Sequence, residues 1–294
     1  MVGEFSGLGA AAVWAIVATG MRAASDRISP VMINGLRCTF AATTLALLLV
    51  LTGRTGSLFT MPFASVAAIV ASGVLGQAMG DALLVKAMKL MGSARAFPIT
   101  STNPLLTIAL ATVFLGEQVS WMGAAGAALV VLGIWLLAFP RGTQKGADPK
   151  RVGDDRMGPL VAFGSAACYA ASNVVLKQGL VGVDLLAANL IRLVTAAVFL
   201  VGVEALNSGG HVAVGLTRRS LTIMVGAGGL NAFSSLMFII AVHFAGAAKA
   251  SVLASTSPLF ALPLSIIFLR ERINRRIAAG TLLAVFGIWL VLGG

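Results

Sequence analysis

The sequence predicts an all-α integral membrane protein: ten transmembrane helices arranged as two inverted five-helix repeats. Three observations predict it. The composition is too apolar for water, ten apolar runs of spanning length fill the chain, and motifs of the first half recur in the second at a shift of 154 residues.

The chain has 294 residues, of which 58% are hydrophobic and 11% charged, with a mean hydropathy of +0.97. A soluble domain carries about 25% charged residues. Each membrane helix needs about 20 apolar residues, so ten helices use about 200 and leave room only for short loops. A large soluble domain is therefore excluded. Thirty-four glycines against 9 prolines suit close-packed membrane helices. The net charge of +11 would suggest a nucleic-acid partner in a soluble protein, but no basic patch is interleaved with aromatics, and the cations are assigned to loops. Cys38 and Cys168 each lie inside an apolar run and give neither a disulfide framework nor a metal site. The first apolar run follows Glu4 without a positive leader segment and continues to Arg22, which reads as a retained helix rather than a cleaved signal.

Polar clusters divide the spans in order. Span 1 (5–21) stops at Arg22, and span 2 (31–51) follows Pro30 and stops before Arg54. Span 3 (63–85) starts after Pro62, span 4 (96–115) closes on Gly116-Glu117, and span 5 (119–139) ends at Pro140. The longest polar stretch, Arg141 to Arg156, holds Pro149 and three glycines near mid-chain. It divides the chain into a first repeat (1–140), a linker (141–157) and a second repeat (158–294). Spans 6 (158–176) and 7 (185–203) end near Lys177 and Glu204, span 8 (220–242) ends at His243, and spans 9 (250–269) and 10 (277–293) flank the basic run Arg270 to Arg276.

Loops after odd-numbered spans carry 16 of the 21 Lys and Arg residues, while the other loops hold only Arg54, Lys177 and Lys249. The positive-inside rule puts the basic loops in the cytoplasm. Both termini then face outward, in what reads as a bacterial inner membrane.

Phe114-Leu-Gly-Glu-Gln-Val and Gly133-Ile-Trp-Leu recur 154 residues later as Phe268-Leu-Arg-Glu-Arg-Ile and Gly287-Ile-Trp-Leu. The same shift sets Ser101-Thr-Asn-Pro-Leu on Ser255-Thr-Ser-Pro-Leu and Gln77 on Asn231. Upstream, a shift of 155 pairs Trp14 with Tyr169, Asn34 with Asn189 and Arg37 with Arg192. Five spans per half is an odd number, so the second half enters the membrane in the opposite sense. Inverted repeats are an architecture of secondary transporters, whose substrate sites lie between the repeats.

These residues resemble the EamA-type members of the drug/metabolite transporter superfamily over nearly the whole chain. The likeness rests on an aromatic in the first helix of each repeat (Trp14, Tyr169), an arginine in the second (Arg37, Arg192), a proline in the fourth (Pro104, Pro258) and the Gly116-Glu117 that ends it. The second repeat departs, with Arg270 before Glu271. The resemblance implies a central cavity lined by spans 1 to 4 and 6 to 9, spans 5 and 10 at the periphery, and carriage of small metabolites.

Ionisable groups at membrane depth are costly and mark function by default. Three stand inside spans: Arg37, Asp81 and Arg192. Asn34 and Asn189 each precede an arginine by three residues and share its helix face. Gln77 shares a face with Asp81, and Asn231 occupies the matching face of span 8, where Ser235 stands in place of an acid. Asp81 reads either as a proton-binding or cation-binding carboxylate or as the ion-pair partner of Arg37 or Lys86. Pro104 and Pro258 sit mid-span and free carbonyls at Thr100 and Ala254, so that Asn103 and Ser257 beside them are substrate candidates. Trp14 and Tyr169 offer rings for stacking, or simply packing. Arg37 with Glu271 at the cytoplasmic side, and Arg192 with Glu117 at the outer side, are candidate gate pairs. Gly76 and Gly80, together with the glycines of spans 5 and 10, read as helix contacts.

The reading is a secondary transporter, working as an exporter of small polar or amphipathic metabolites such as amino acids, with no cofactor. No GxxxxGK[ST] loop is present, so ATP is not the direct energy source, and a proton is the candidate coupling ion. The expected partners are a small-molecule substrate and membrane lipid, with no nucleic acid, in a monomer or homodimer. The within-family alternative is an exporter of amphipathic cationic drugs. An intramembrane enzyme lacks an HExxH or GxSxG motif to support it, and a passive channel would not need matched halves.

Overall fold

The computed structural model describes residues 1–22, 29–138, 157–207, 218–261 and 275–293. The linker residues 141–156 and the gate candidate Glu271 lie outside them. Every regular element among the described residues is helical. Hydrocarbon offers backbone amides no water, so each must be satisfied within its own segment. The first half holds α1 (Val2–Arg22), α2 (Pro30–Leu51), α3 (Phe63–Met91), α4 (Ser93–Thr100), α5 (Asn103–Leu115) and α6 (Trp121–Ala138). The second holds α7 (Met157–Gly179), α8 (Leu185–Asn207), α9 (Arg218–Ala254), a helical segment at 257–261 and α10 (Arg275–Gly293). Six stretches among the described residues are long and apolar enough to cross a membrane; Val2–Val17, Trp121–Leu137 and Ala278–Gly293 are apolar but shorter.

The described parts of the ten predicted spans fall on helices, with three differences. First, α3 runs to Met91 rather than 85, because Lys86 and Lys89 have stems long enough to stay on a helix while their charges reach water. Within it, Gly73–Gly80 is wound as a π-helix, which hydropathy could not indicate. Second, the expected span 4 is broken at Ser101-Thr102. Pro104 cannot donate to the Thr100 carbonyl, which accepts instead from Asn103 Nδ2 at 3.2 Å. Third, no loop parts spans 8 and 9: α9 passes through a kink at Gly246 with φ 88° and ψ 164°.

These breaks repeat. Gly92, 154 residues before Gly246, has φ 82° and ψ 153°, a backbone region essentially reserved for glycine. In the turns that follow, Thr102 N donates to Ile99 O at 3.1 Å and Thr256 N to Leu253 O at 3.2 Å. The threonine hydroxyls bond the same two carbonyls at 2.7 and 2.6 Å. The sequence repeat is thus a repeat of backbone geometry.

Small residues set the helix pairs, since in lipid close backbone approach replaces hydrophobic drive. α6 and α10 meet where a Cβ on Gly126 would lie 2.6 Å from the Gly287 carbonyl oxygen, and one on Gly133 2.6 Å from that of Gly280. This pair touches the rest only lightly. α1 lies on α9, with Gly7 against Leu253, and α7 lies on α3, with Gly80 against Tyr169. Under the repeat those two helix pairs correspond, though the residues in contact differ. α2 and α8 also pair, and the polar residues buried in the molecule gather where these helices meet.

Candidate functional site

In the first half, α2 carries Asn34 and Arg37 on one face, and Asp81 follows the end of the π segment. Asn34 Nδ2 donates to Asp81 Oδ2 and, at 3.4 Å, to the Gln77 carbonyl. Arg37 donates to Asn34 Oδ1, and its Nη2 lies 3.7 Å from Asp81 Oδ2. The Tyr169 hydroxyl, from the second half, donates to Asp81 Oδ1. Beside it, Ser165 Oγ donates to the Gly80 carbonyl at 2.8 Å and ties α7 to the end of the π segment. The Arg37 guanidinium stands 4.4 Å from the Trp14 ring centroid, within cation–π range. Of the two partners considered for Asp81, the structure gives Arg37.

In the second half, Asn189 Nδ2 donates to Ser235 Oγ at 2.9 Å, the counterpart of the Asn34 to Asp81 bond. Arg192 donates from Nε to Ser72 Oγ at 3.1 Å and from Nη2 to Ser172 Oγ at 3.4 Å. Ser172 in turn donates to the Ser72 carbonyl at 2.8 Å. Gly76 makes room for this cradle: a Cβ there would sit 2.4 Å from Ser172 Oγ and 3.5 Å from Arg192 Nη2. The Phe238 ring lies 5.7 Å from the guanidinium. No carboxylate among the described residues is within ion-pairing distance of Arg192.

Four buried polar atoms of this region have no hydrogen-bond partner: Arg37 Nε, Gln77 Oε1, Asn189 Oδ1 and Asn231 Nδ2. Buried polar groups are nearly always paired, so unpaired donors and acceptors on four helices that pack together mark a candidate binding region. The four come from α2, α3, α8 and α9, two from each repeat. A fifth such atom among the described residues, Thr281 Oγ1, is on peripheral α10.

Asn103 belongs to a different cluster. Its Oδ1 accepts from Ser251 at 3.1 Å, and Thr107 and Asn173 join through bonds of 3.2 to 3.5 Å. Ser257 is half-buried at the start of the segment 257–261. Glu117 does not pair with Arg192. Its two oxygens accept from Ala247 N at 2.7 Å and Ala248 N at 3.1 Å, just past the Gly246 kink, while Arg192 is buried among serines. A cavity of about 280 Å³ opens beside Glu117, lined also by Lys177, Phe244 and Lys249 among others.

Ser72 and Ser172 were not legible as site residues. A serine or threonine in an apolar helix commonly bonds its own preceding turn, as Thr39, Thr43, Thr44 and Thr195 do, so its identity alone says nothing.

The sequence pattern of the EamA-like transporter family matches residues 1–139 and again residues 156–293. The chain belongs to this family. It is therefore a multi-pass integral membrane transporter of the drug/metabolite transporter superfamily, and the family is one of transporters, not of enzymes. Among the 28 solved chains that match, one crystal structure superposes with a TM-score of 0.76 at 17% identity, covering 98% of this chain and 96% of its own. That likeness is one of fold. No curated protein matches in sequence.

Proposed function

We propose that this EamA protein is a secondary active exporter of small polar metabolites such as amino acids, working by alternating access between two inverted repeats. The substrate site is the polar cluster between α2, α3, α8 and α9. The observation that carries this reading is the set of unpaired buried atoms Arg37 Nε, Gln77 Oε1, Asn189 Oδ1 and Asn231 Nδ2, drawn equally from both halves. A solute bearing donors and acceptors completes them, and because the groups belong to both repeats, a relative movement of the repeats re-forms the site.

Alternation is supported by the repeated breaks at Gly92 and Gly246 and at the paired turns before Pro104 and Pro258, which give each half the same points of bending. Broken helices at corresponding positions are the usual pointer to a transporter's site. The opposite sense of the halves follows from five spans each, and the cytoplasmic placement of the basic loops from their charge. A C-terminal reporter active only in the cytoplasm should then be silent, and a strong signal would reverse the orientation. Arg37 with Glu271 is the proposed cytoplasmic gate pair, tested by whether exchanging the two charges restores transport lost in the single changes. A proton is the proposed coupling ion.

The direct test is a thermal-shift screen of the detergent-purified chain against amino acids, organic cations and sugar nucleotides, followed by uptake into inside-out vesicles. Stabilisation by amino acids that is lost in Asn189→Ala and Asn231→Ala is the expected result, because a ligand that binds only the folded state raises apparent stability. Stabilisation unaffected by both changes would move the site elsewhere.

A further inference from the structure

The two most deeply buried ionised side chains described are both arginines, Arg37 and Arg192, each 5% exposed. Among the described residues, only one carboxylate, Asp81, reaches either of them. Asp81 is committed: Oδ1 accepts from Tyr169, and Oδ2 accepts from Asn34 and faces Arg37. Among the described residues Arg192 has hydroxyls and the Phe238 ring as partners, and Ser72 and Ser172 take two of its five N–H groups. An ion at this depth is expensive unless a counter-charge offsets it. Hydroxyls solvate a cation without neutralising it, so the described residues at the centre of the molecule hold one positive charge in excess.

Resting on the proposed transporter reading, we infer that the Arg192 cradle is an anion subsite that binds the carboxylate of the transported solute. The serines hold the guanidinium from one side, through Nε and one Nη2 proton, and its remaining N–H groups form the fork that fits a carboxylate in two parallel bonds. Asn189, one turn before Arg192 on α8, presents its unpaired Oδ1 to the same region, where it accepts a donor of the solute. One unit of excess charge matches a monoanionic carboxylate; a phosphate dianion would overshoot it. Because Asp81 already has Arg37 as its cation partner, the described residues of the site offer an organic cation no unpaired carboxylate, which argues against a cationic drug as the substrate.

The test compares three forms of one scaffold on the detergent-purified full chain: phenylalanine, its amide, which keeps the ammonium but lacks the carboxylate, and N-acetylphenylalanine, which lacks the ammonium. Leucine and threonine sets are run in parallel, with inorganic phosphate and phosphoethanolamine, which lacks a carboxylate, as the phosphate arm. The expected result is a rise in melting temperature with the carboxylate forms and none with the amides. Arg192→Gln should weaken that response about a hundredfold in apparent affinity, as for a lost buried charge partner. Arg192→Lys should keep part of it. If Arg192→Gln does not fold, Ser172→Ala serves: it leaves the charge but frees the fork, and should weaken the response about tenfold.

Equal stabilisation by acids and amides, persistence of the response in Arg192→Gln, or a response to phosphate compounds alone would overturn the carboxylate subsite. The transporter reading would survive each of these outcomes. If no compound in any class stabilises the protein or exchanges across proteoliposomes in counterflow, the metabolite-transporter reading fails and the subsite falls with it.

Discussion

The surroundings of Arg37 and Arg192 are built on the same plan and end in different electrostatic states. Both arginines come from the second predicted span of a repeat, both follow an asparagine one turn earlier, and each asparagine amide donates to the matching position of a neighbouring helix. At that position the first half has Asp81 and the second has Ser235. Among the described residues, the half with the aspartate holds a neutralised ion pair and the half with the serine a cation without a carboxylate. Duplication supplies the scaffold, and departure from symmetry supplies the chemistry, so the place to look for specificity in a two-fold transporter is where the halves disagree.

The largest effect should come from breaking the closed half. Asp81→Ala removes the only carboxylate among the described residues that reaches Arg37, together with the acceptors of Tyr169 and Asn34, and takes the paired counter-charge from a guanidinium 5% exposed. Loss of one partner of a buried pair costs about 3 to 5 kcal/mol. Thermal unfolding in detergent should show it, and the double change Asp81→Ala with Arg37→Leu should recover much of the loss. If the double change is no better than the single one, the pair is not the source of the stability.

Closing the open half sharpens the comparison. Ser235→Asp places in α9 the carboxylate that α3 has at Asp81, within reach of Asn189, which lies one turn before Arg192. The fold should tolerate it, because the new charge meets an excess cation. The response to carboxylate ligands should weaken about ten- to a hundredfold as the variant's own carboxylate competes for the guanidinium. An unchanged ligand response would mean that positions 81 and 235 are not equivalent in three dimensions.

How much of this was legible in the sequence follows from the length scale of each signal. Hydropathy integrates over a whole span, so the helices and their order could be read. The repeat marked Asn34, Arg37, Asn189 and Arg192 because a polar residue recurring inside an apolar run is rare enough to register. The π-helix at Gly73–Gly80, the cradle of Ser72 and Ser172, and the crossing of Tyr169 to the other half's Asp81 could not be read. Each depends on which faces meet, and hydropathy carries no such information. The proposed Arg192 to Glu117 pair joined two groups by depth alone. Depth does not fix azimuth, and Glu117 meets the backbone of α9 instead.

A smaller effect belongs to that latch. Glu117 bridges the turn after α5 to two amides beyond the Gly246 kink, where a negative charge at the start of a helical stretch is favourable. Glu117→Gln keeps one acceptor and loses the charge, with an expected cost of about 1 to 2 kcal/mol. Because the latch joins the two repeats at one end, the variant should also change which end is open. A thiol reagent applied to a cysteine placed at Gln118 in a background without Cys38 and Cys168 should react faster in the Glu117→Gln variant. Equal rates would reduce Glu117 to a helix cap.

The smallest effect tests the aromatic arms of the comparison. Trp14 lies over Arg37 within its own half, while its counterpart Tyr169 reaches across to Asp81, so only the tryptophan acts through its ring face. Trp14→Phe keeps an aromatic ring and loses the stronger quadrupole of the indole, and should cost no more than about 1 kcal/mol. Tyr169→Phe deletes a hydroxyl bonded to a charged oxygen and should cost more, about 1.5 to 3 kcal/mol. The order of the two melting temperatures is the measurement. If Trp14→Phe proved the more damaging, packing of the large indole against α9 would outweigh its contact with Arg37, and the first half would be held closed by shape rather than by charge.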